Sequence, residues 1–236
     1  LFSKGDEIIC SVDLYGGVIR HHAVICEHSG IGIRYIDVSD TEELLRNIND
    51  NTKAVYIETP SNPMMHIIDI RKLSKITKEK GLYLIVDNTF LSPKFQNPLS
   101  LGADIVIHSG SKFLGGHNDT IAGFICLDDP KLAGILRIIA KTCGASLSPF
   151  DSWLILRGIK TLSVRMERQQ ESAIKIAEFL KSREEVTEVL YIGLPEHPGY
   201  EINKSQATGS GSMISSELTM PTSLLFSTTG YERKRY

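Results

Sequence analysis

Short apolar runs alternate along the chain with longer amphipathic stretches, at the spacing of strand–helix–strand units. Glu7–Val12 reads as a strand, and it stops at Asp13-Leu14-Tyr15-Gly16-Gly17, where two glycines mark a loop or helix start that lets backbone approach a ligand closely. Arg20–Ser29 suits a helix and Gly32–Val38 a second strand. Asp40 is placed to cap a helix that reaches about Asn49, with Glu42 and Glu43 in its first turn. Lys53–Glu58 is the third strand, closed by Thr59-Pro60-Ser61-Asn62-Pro63, because two prolines forbid regular structure there. Asp69–Lys80 has helical periodicity, with Ile70, Leu73 and Ile76 on one face and lysines on the other. Gly81 stops it, and Leu82–Val86 is the next strand.

The same rhythm continues through Ala103–Ile107 as a strand, Ala122–Leu127 as another, and Asp129–Thr142 as a helix. Ser148–Ser152 reads as a loop closing on a helix N-terminus. A long helical region then runs from about Trp153 to Ser182, with an interruption near Gly158. Val186–Tyr191 is a late strand and Leu194–Gly199 a loop. The pattern predicts an α/β fold, a mostly parallel sheet flanked by helices on both faces. The rhythm gives way near Gly158, which places a boundary between residues 1–157 and the start of a second, smaller α/β unit over residues 158–236.

Chemistry gathers where two of these strands end. Leu82–Val86 gives way to Asp87, and Ala103–Ile107 gives way to His108-Ser109-Gly110-Ser111-Lys112. In open α/β sheets ligands bind outside the carboxyl ends of the strands, so an amine and a carboxylate face one crevice. A lysine amine forms a Schiff base with an aldehyde. Pyridoxal phosphate needs, in addition, an acid that keeps its ring nitrogen protonated and donors for its phosphate. Lys112, Asp87 and the hydroxyls and backbone N–H groups of Ser109, Gly110 and Ser111 are of the right types. Taken singly, an acid such as Asp87 after a strand is more often a helix N-cap, and a lysine such as Lys112 in a glycine-rich loop more often solvated; it is their coincidence at neighbouring strand ends that points to a site.

The stretch VDNTFLSPKFQNPLSLGADIVIHSGSKFLGGHND closely resembles the cystathionine synthase and lyase family, the pyridoxal-phosphate enzymes of cysteine and methionine metabolism. The family motif is serine, any residue, threonine, lysine and an aromatic residue; Ser111 stands here for the threonine and Phe113 for the usual tyrosine. The likeness runs from about Gly5 to about Leu218 and includes SPFDSWLILRGIKTLSVRME. It implies the fold type I architecture of pyridoxal-phosphate transferases, with part of a small C-terminal α/β domain. It also implies roles. Lys112 holds the cofactor and shuttles the α-proton, Asp87 pairs with the ring nitrogen, and Tyr15 stacks on the ring and assists. Asn62 bonds the phenolic oxygen, and Ser109 and Ser111 bind phosphate.

The implied activity is elimination or replacement at Cβ or Cγ of cystathionine, methionine or O-acyl-homoserine type amino acids, in a homo-oligomer that is a tetramer in the resembling family. The family pattern extends further in both directions. An upstream tyrosine and arginine reach a partner's phosphate, and a downstream arginine grips the substrate carboxylate. Neither is in this sequence, so weak cofactor binding and poor turnover are expected. Two other readings stay open: another fold type I activity such as an aminotransferase, and a catalytically impaired or dead fragment.

Composition narrows the alternatives. A hydrophobic share of 42% with 23% charged residues is that of a globular protein. A net charge of −2 gives no reason to expect nucleic acid or an anionic membrane as partner. No apolar run approaches the roughly 18 residues of a membrane span, and residues 1–20 lack a signal-peptide core. Cys10, Cys26, Cys126 and Cys143 have no paired spacing and read as reduced thiols of a cytoplasmic protein, the first three within or beside strands. His21, His22, His28, His66, His108, His117 and His197 match no metal-ligand spacing, so no metal is expected, and His117 is placed to steady the loop after Lys112. Arg233-Lys234-Arg235 reads as a solvated tail, and the residues after Thr219 depart from the family pattern.

Overall fold

The computed structural model describes residues 1–219. Strands β1 (Glu7–Ser11), β2 (Gly32–Ile36), β3 (Thr52–Glu58), β4 (Tyr83–Asp87) and β5 (Ile105–Ser109) run parallel. β6 (Gly123–Cys126) joins β5 antiparallel, giving the spatial order β2-β1-β3-β4-β5-β6. The mostly parallel sheet is thus present, with one antiparallel edge.

Alternation along each strand sends side chains to opposite faces. Ile9, Val55, Ile57, Leu84, Val86 and Val106 point one way. They meet Leu44 of α2 (Thr41–Asn47) and Ile70 and Leu73 of α3 (Ile70–Glu79). Ile8, Cys10, Ala54, Tyr56, Ile85 and Ile105 point the other way. There they meet Val18 of α1 (Gly16–His21) and Leu132 of α5 (Pro130–Thr142). Leu84 is fully buried, and Leu84→Ala would cost about 2–5 kcal/mol. Asp40 caps α2 by accepting the Glu42 and Glu43 N–H groups, and Asp69 caps α3 by accepting the Lys72 N–H.

Several boundaries differ from the sequence reading. Asp87 is the last residue of β4 rather than the first outside it. β5 starts two residues later than expected and runs on through His108 and Ser109. The shift has a cause: Ala103 N–H closes a tight turn onto the Pro98 carbonyl, while the Asp104 carboxylate accepts the Leu84 N–H at 2.8 Å. The long helical region expected to about Ser182 is two helices, α6 (Pro149–Ile159) and α7 (Leu162–Lys181); the interruption expected near Gly158 falls at Lys160-Thr161. Ser148–Ser152 is the start of α6 itself, with the Ser148 hydroxyl accepting the Asp151 N–H. Cys26 ends a π turn continuing α1, not a strand edge.

Among the short elements that escaped the sequence reading are α4 (Ser92–Phe95), the 3-10 turn Pro98–Leu101, α8 (Tyr200–Gln206) and β8 (Ser215–Leu218), which pairs antiparallel with β7 (Val186–Leu190). The boundary expected at residues 157/158 falls inside α6, near its end. Among the described residues, no helix is long and apolar enough to cross a membrane. The basic run at Arg233–Arg235 and the residues from Met220 onward, expected to depart from the family pattern, lie outside the described residues.

Candidate functional site

β1, β3, β4 and β5 are consecutive parallel neighbours in the sheet, so their carboxyl ends lie along one edge. The chain leaves β1 toward β2 on one side and β3 on the other, so the order reverses between β1 and β3, where such sheets open to ligands. All six residues picked from the sequence sit along this edge. Tyr15 follows β1, Asn62 follows β3, Asp87 ends β4, Ser109 ends β5, and Ser111 and Lys112 lie in the turn after it.

Hydrogen bonds knit the row together. The Tyr15 N–H donates to Glu58 Oε2 at 2.7 Å, and Glu58 is the register partner of Asp87 on β4. Asp87 Oδ1 accepts the Thr89 N–H at 2.9 Å, and the Thr89 hydroxyl accepts the Ser109 N–H at 2.9 Å. On the other side, Asp13 accepts from the Ser61 hydroxyl and, at 2.9 Å, from the Met64 N–H. That clamp fastens the Tyr15 loop to the loop carrying Asn62.

Lys112 lies in a single π turn, Gly110–Leu114, and its own backbone is non-helical (φ −93°, ψ −121°), a kink in the middle of the turn. The kink leaves its side chain exposed. No ion pair among the described residues engages it. What holds the turn is close backbone packing. A Cβ on Gly158 of α6 would stand 2.1 Å from the Gly115 carbonyl oxygen, so only glycine there lets α6 seat on the turn. The His117 ring nitrogen Nδ1 lies 2.8 Å from the same carbonyl, the steadying contact foreseen for it.

One expectation needs correction. The Ser109 and Gly110 N–H groups are not exposed donors: the first bonds the Thr89 hydroxyl and the second the Ala122 carbonyl at 2.8 Å. The Ser111 hydroxyl likewise accepts the Ala122 N–H at 2.9 Å, tying the turn to the segment that leads into β6. Its proton, bonded only weakly to the Ala122 carbonyl at 3.5 Å, remains to be given elsewhere.

Burial sets the electrostatics. Asp87 is pushed above the ordinary carboxylate range by loss of solvent, against the pull of Thr89 and of the Tyr56 hydroxyl facing it. Glu58, 4% exposed, is pushed up to about 8 by burial, a rise that the Tyr15 N–H opposes and the Asp87 and Asp13 carboxylates reinforce. None of the ion pairs among the described residues reaches either acid. Two acids side by side, Glu58 buried and Asp87 half-buried, without a cation favour a ligand that carries positive charge where Asp87 ends. A protonated ring nitrogen has that character, and Tyr15 presents an aromatic ring that is 51% exposed. The residues present therefore fit pyridoxal phosphate. Among the described residues no three His, Cys, Asp or Glu side chains gather as a metal site.

Sequence reasoning missed Glu58, Tyr56 and Thr89. Glu58 alone carried a signal, a lone acid at the end of an otherwise apolar strand, but its importance depends on Asp87 being next door.

Comparison with known proteins agrees with this geometry. Residues 1–228 match the family of Cys/Met metabolism PLP-dependent enzymes. A cystathionine beta-lyase of Lactococcus lactis subsp. cremoris (strain MG1363) is 46% identical over 219 residues, which are 93% of this chain and 58% of the relative. A cystathionine gamma-synthase/O-acetylhomoserine (thiol)-lyase of Bacillus subtilis (strain 168) is 48% identical over 206 residues, 87% of this chain and 55% of the relative. The crystal structure of cystathionine gamma-lyase from Lactobacillus plantarum, complexed with L-serine, superposes with a TM-score of 0.90 at 43% identity, covering 92% of this chain and 57% of that one. The chain thus spans somewhat over half the length of these relatives. With its parallel sheet, its row of strand-end residues and these likenesses together, the chain belongs to the Cys/Met metabolism PLP-dependent enzymes, with the fold type I architecture.

Proposed function

We propose that this chain forms the cofactor-holding part of a transsulfuration enzyme, a lyase or transferase that eliminates or replaces a group at Cβ or Cγ of cystathionine, methionine or an O-acyl-homoserine. The observation that carries this reading is the continuous row Tyr15, Glu58, Asp87, Thr89, Ser109 along neighbouring strand ends, with Lys112 rising from the next turn. The named relatives are lyases and a synthase of this chemistry, which supports the substrate class.

When bound, pyridoxal phosphate supplies an aldehyde that captures amines and a ring that accepts electrons. Lys112 Nζ would hold that aldehyde carbon. The same Nζ, when free, would take the α-proton of the substrate and return a proton to it. The Asp87 carboxylate would hold a proton on the ring nitrogen, and that cation would relieve the desolvation that raises Asp87. Tyr15 would stack its ring on the cofactor, and its hydroxyl would serve as a proton carrier. Asn62 would orient the phenolic oxygen. The Ser109 and Ser111 hydroxyls would meet the phosphate. Residues 1–157 would be the cofactor-binding unit and residues 158–236 the start of a second one. A cytoplasmic homo-oligomer working on a free amino acid is the setting this chemistry suits.

The test is a visible titration of the purified chain with pyridoxal phosphate, followed by borohydride reduction and peptide mapping. The expected result is a protein-bound chromophore and a reduced label on Lys112, absent from Lys112→Ala. A soluble, folded chain that shows no chromophore, or a label spread over other lysines, overturns the proposal. Release of ammonia and a keto acid without any added keto-acid acceptor separates lyase chemistry from an aminotransferase.

A further inference from the structure

We propose that Glu58 is a positioning residue of this site: its carboxyl holds Tyr15 in place through the Tyr15 backbone N–H, and it stands beside Asp87 so that the two acids together carry one charge. The role in cofactor binding rests on the proposed function above; the hold on Tyr15 does not.

Three observations lead here. First, the bond is long-range and short: 43 residues separate Tyr15 from Glu58, and the contact is 2.7 Å. Tyr15 is the N-cap of α1 and makes no side-chain cap of its own, and its N–H bond to Glu58 ties the start of the helix to β3. Second, the ring depends on that fix. Its edge lies over Gly17, where an added Cβ would come within 2.3 Å of Tyr15 Cε1, so the ring lies close along the start of α1. A shift of the loop at residue 15 would carry the ring with it. Third, a carboxyl is a costly choice for the task. Glu58 is 4% exposed and faces Asp87 from β4 and Asp13 from the loop after β1, with Tyr56 of its own strand near it. Those neighbours supply two further acids and no cation. A neutral acceptor would hold the N–H as well without the repulsion, and groups that strain a fold this way collect at functional sites.

The pairing has a consequence for charge. Two carboxyls in register on neighbouring strands do not both ionise readily, so one keeps a proton. When a cationic ring nitrogen meets Asp87, Asp87 takes the charge and Glu58 keeps the proton, while its carbonyl oxygen still accepts the Tyr15 N–H. The ring of Tyr15 and the charge on Asp87 are then set by one pair of groups.

The decisive experiment measures amide hydrogen exchange at Tyr15 in the chain without cofactor, together with affinity for pyridoxal phosphate by visible titration, in wild type, Glu58→Leu, Glu58→Gln and Tyr15→Ala. Glu58→Leu should lower protection at Tyr15 at least about tenfold while leaving the β4 amides unchanged. Glu58→Gln, which keeps an acceptor oxygen, should stay within about threefold of wild type in both readouts. Glu58→Leu should weaken cofactor binding about tenfold, and it should add nothing in the Tyr15→Ala background, because the ring through which it acts is gone. Unchanged exchange at Tyr15 in Glu58→Leu, or losses that add in the double variant, would overturn the proposal. If Glu58→Leu fails to fold, Glu58→Gln still decides, since a loss of Tyr15 protection there removes the acceptor argument. A wild-type chain that binds no cofactor defeats the functional reading and leaves the exchange result to judge Glu58.

Discussion

Two glutamates on adjacent strands show how differently the two ends of this sheet are built. Glu7 opens β1 and Glu58 closes β3. At its end, Glu7 receives the Arg34 guanidinium at 2.8 Å and the Asn49 amide at 2.9 Å, with the Thr52 hydroxyl further off, and the Arg34 bond above all holds its carboxyl below the usual range. Glu58 has the Tyr15 N–H and two acids for neighbours, and burial pushes it up to about 8. The same side chain is satisfied at one end and strained at the other. Strand starts in this fold have only to hold together. Strand ends face the crevice, and charge left unbalanced there is charge a ligand can balance.

The largest effect should come from relieving the strain at Asp87. Asp87→Asn removes the carboxylate that would meet a ring nitrogen while keeping its shape. Pyridoxal phosphate affinity should fall about 10–100-fold, the worth of one hydrogen bond between charged groups. The cofactor-free chain should at the same time gain about 1 kcal/mol against urea, because a desolvated, half-buried acid without a cation is gone. Affinity by visible titration and stability by urea denaturation, on the same samples, test both signs. A variant that loses affinity and stability together would mean that Asp87 is part of the scaffold, and the contrast between the two ends would fail.

How much of this was legible in the sequence follows from what each feature depends on. Lys112 and Asp87 could be read because each follows an apolar run long enough to be a buried strand, and a polar group at that junction stands out. The two-sided sheet could be read from alternation in segments such as Ile8-Ile9-Cys10, whose neighbours pack on opposite faces. Glu58 could not be weighed, because its strain comes from β3 lying next to β4 and β1, and strand order is not written in local pattern. Ser109 and Gly110 were misjudged for a related reason. Their donors are spent on Thr89 and Ala122, partners supplied by a different loop and by the lead into β6. α8 was hidden behind Pro195, Pro198 and Gly199, which announce a loop and not the helix that starts at Tyr200. β8 was hidden by the glycines and serines around residue 211, since short strands held by one partner carry little pattern of their own.

A smaller effect should appear in the pH dependence of the cofactor-free chain. Glu58 has a folded pKa raised above its ordinary 4.5, so the folded chain holds a proton that the unfolded chain has released. Its contribution is therefore lost as pH rises, from about 4.5 toward about 8, at no more than ~1.4 kcal/mol per pH unit. Asp87 adds in the same direction. His22, His108 and His197 are held below the ordinary histidine value by burial, so they work the other way, costing stability as pH falls. Comparing Glu58→Gln with wild type cancels these other groups. Urea midpoints at pH 5, 6.5 and 8 should fall less steeply in the variant, and parallel slopes would refute the strained-acid picture.

The smallest effect belongs to the satisfied end. Arg34 is 44% exposed, so its pair with Glu7 is screened, and Arg34→Ala should cost about 0.5–1 kcal/mol at neutral pH. The sign of its pH dependence is opposite to that of Glu58. Glu7 has a lowered folded pKa, so its contribution is fully present above the ordinary 4.5 and is lost as pH falls through the folded value. Urea denaturation at pH 7 and pH 3.5 should therefore show the Arg34→Ala penalty shrinking toward acid, just where Glu58→Gln and wild type converge. A penalty that stayed constant would mean that Arg34 contributes by packing its stem along β2, and that Asn49 and Thr52 alone keep Glu7 ionised. The two ends would then differ in hydrogen bonding rather than in charge, which is a narrower contrast and one that Asn49→Ala would measure next.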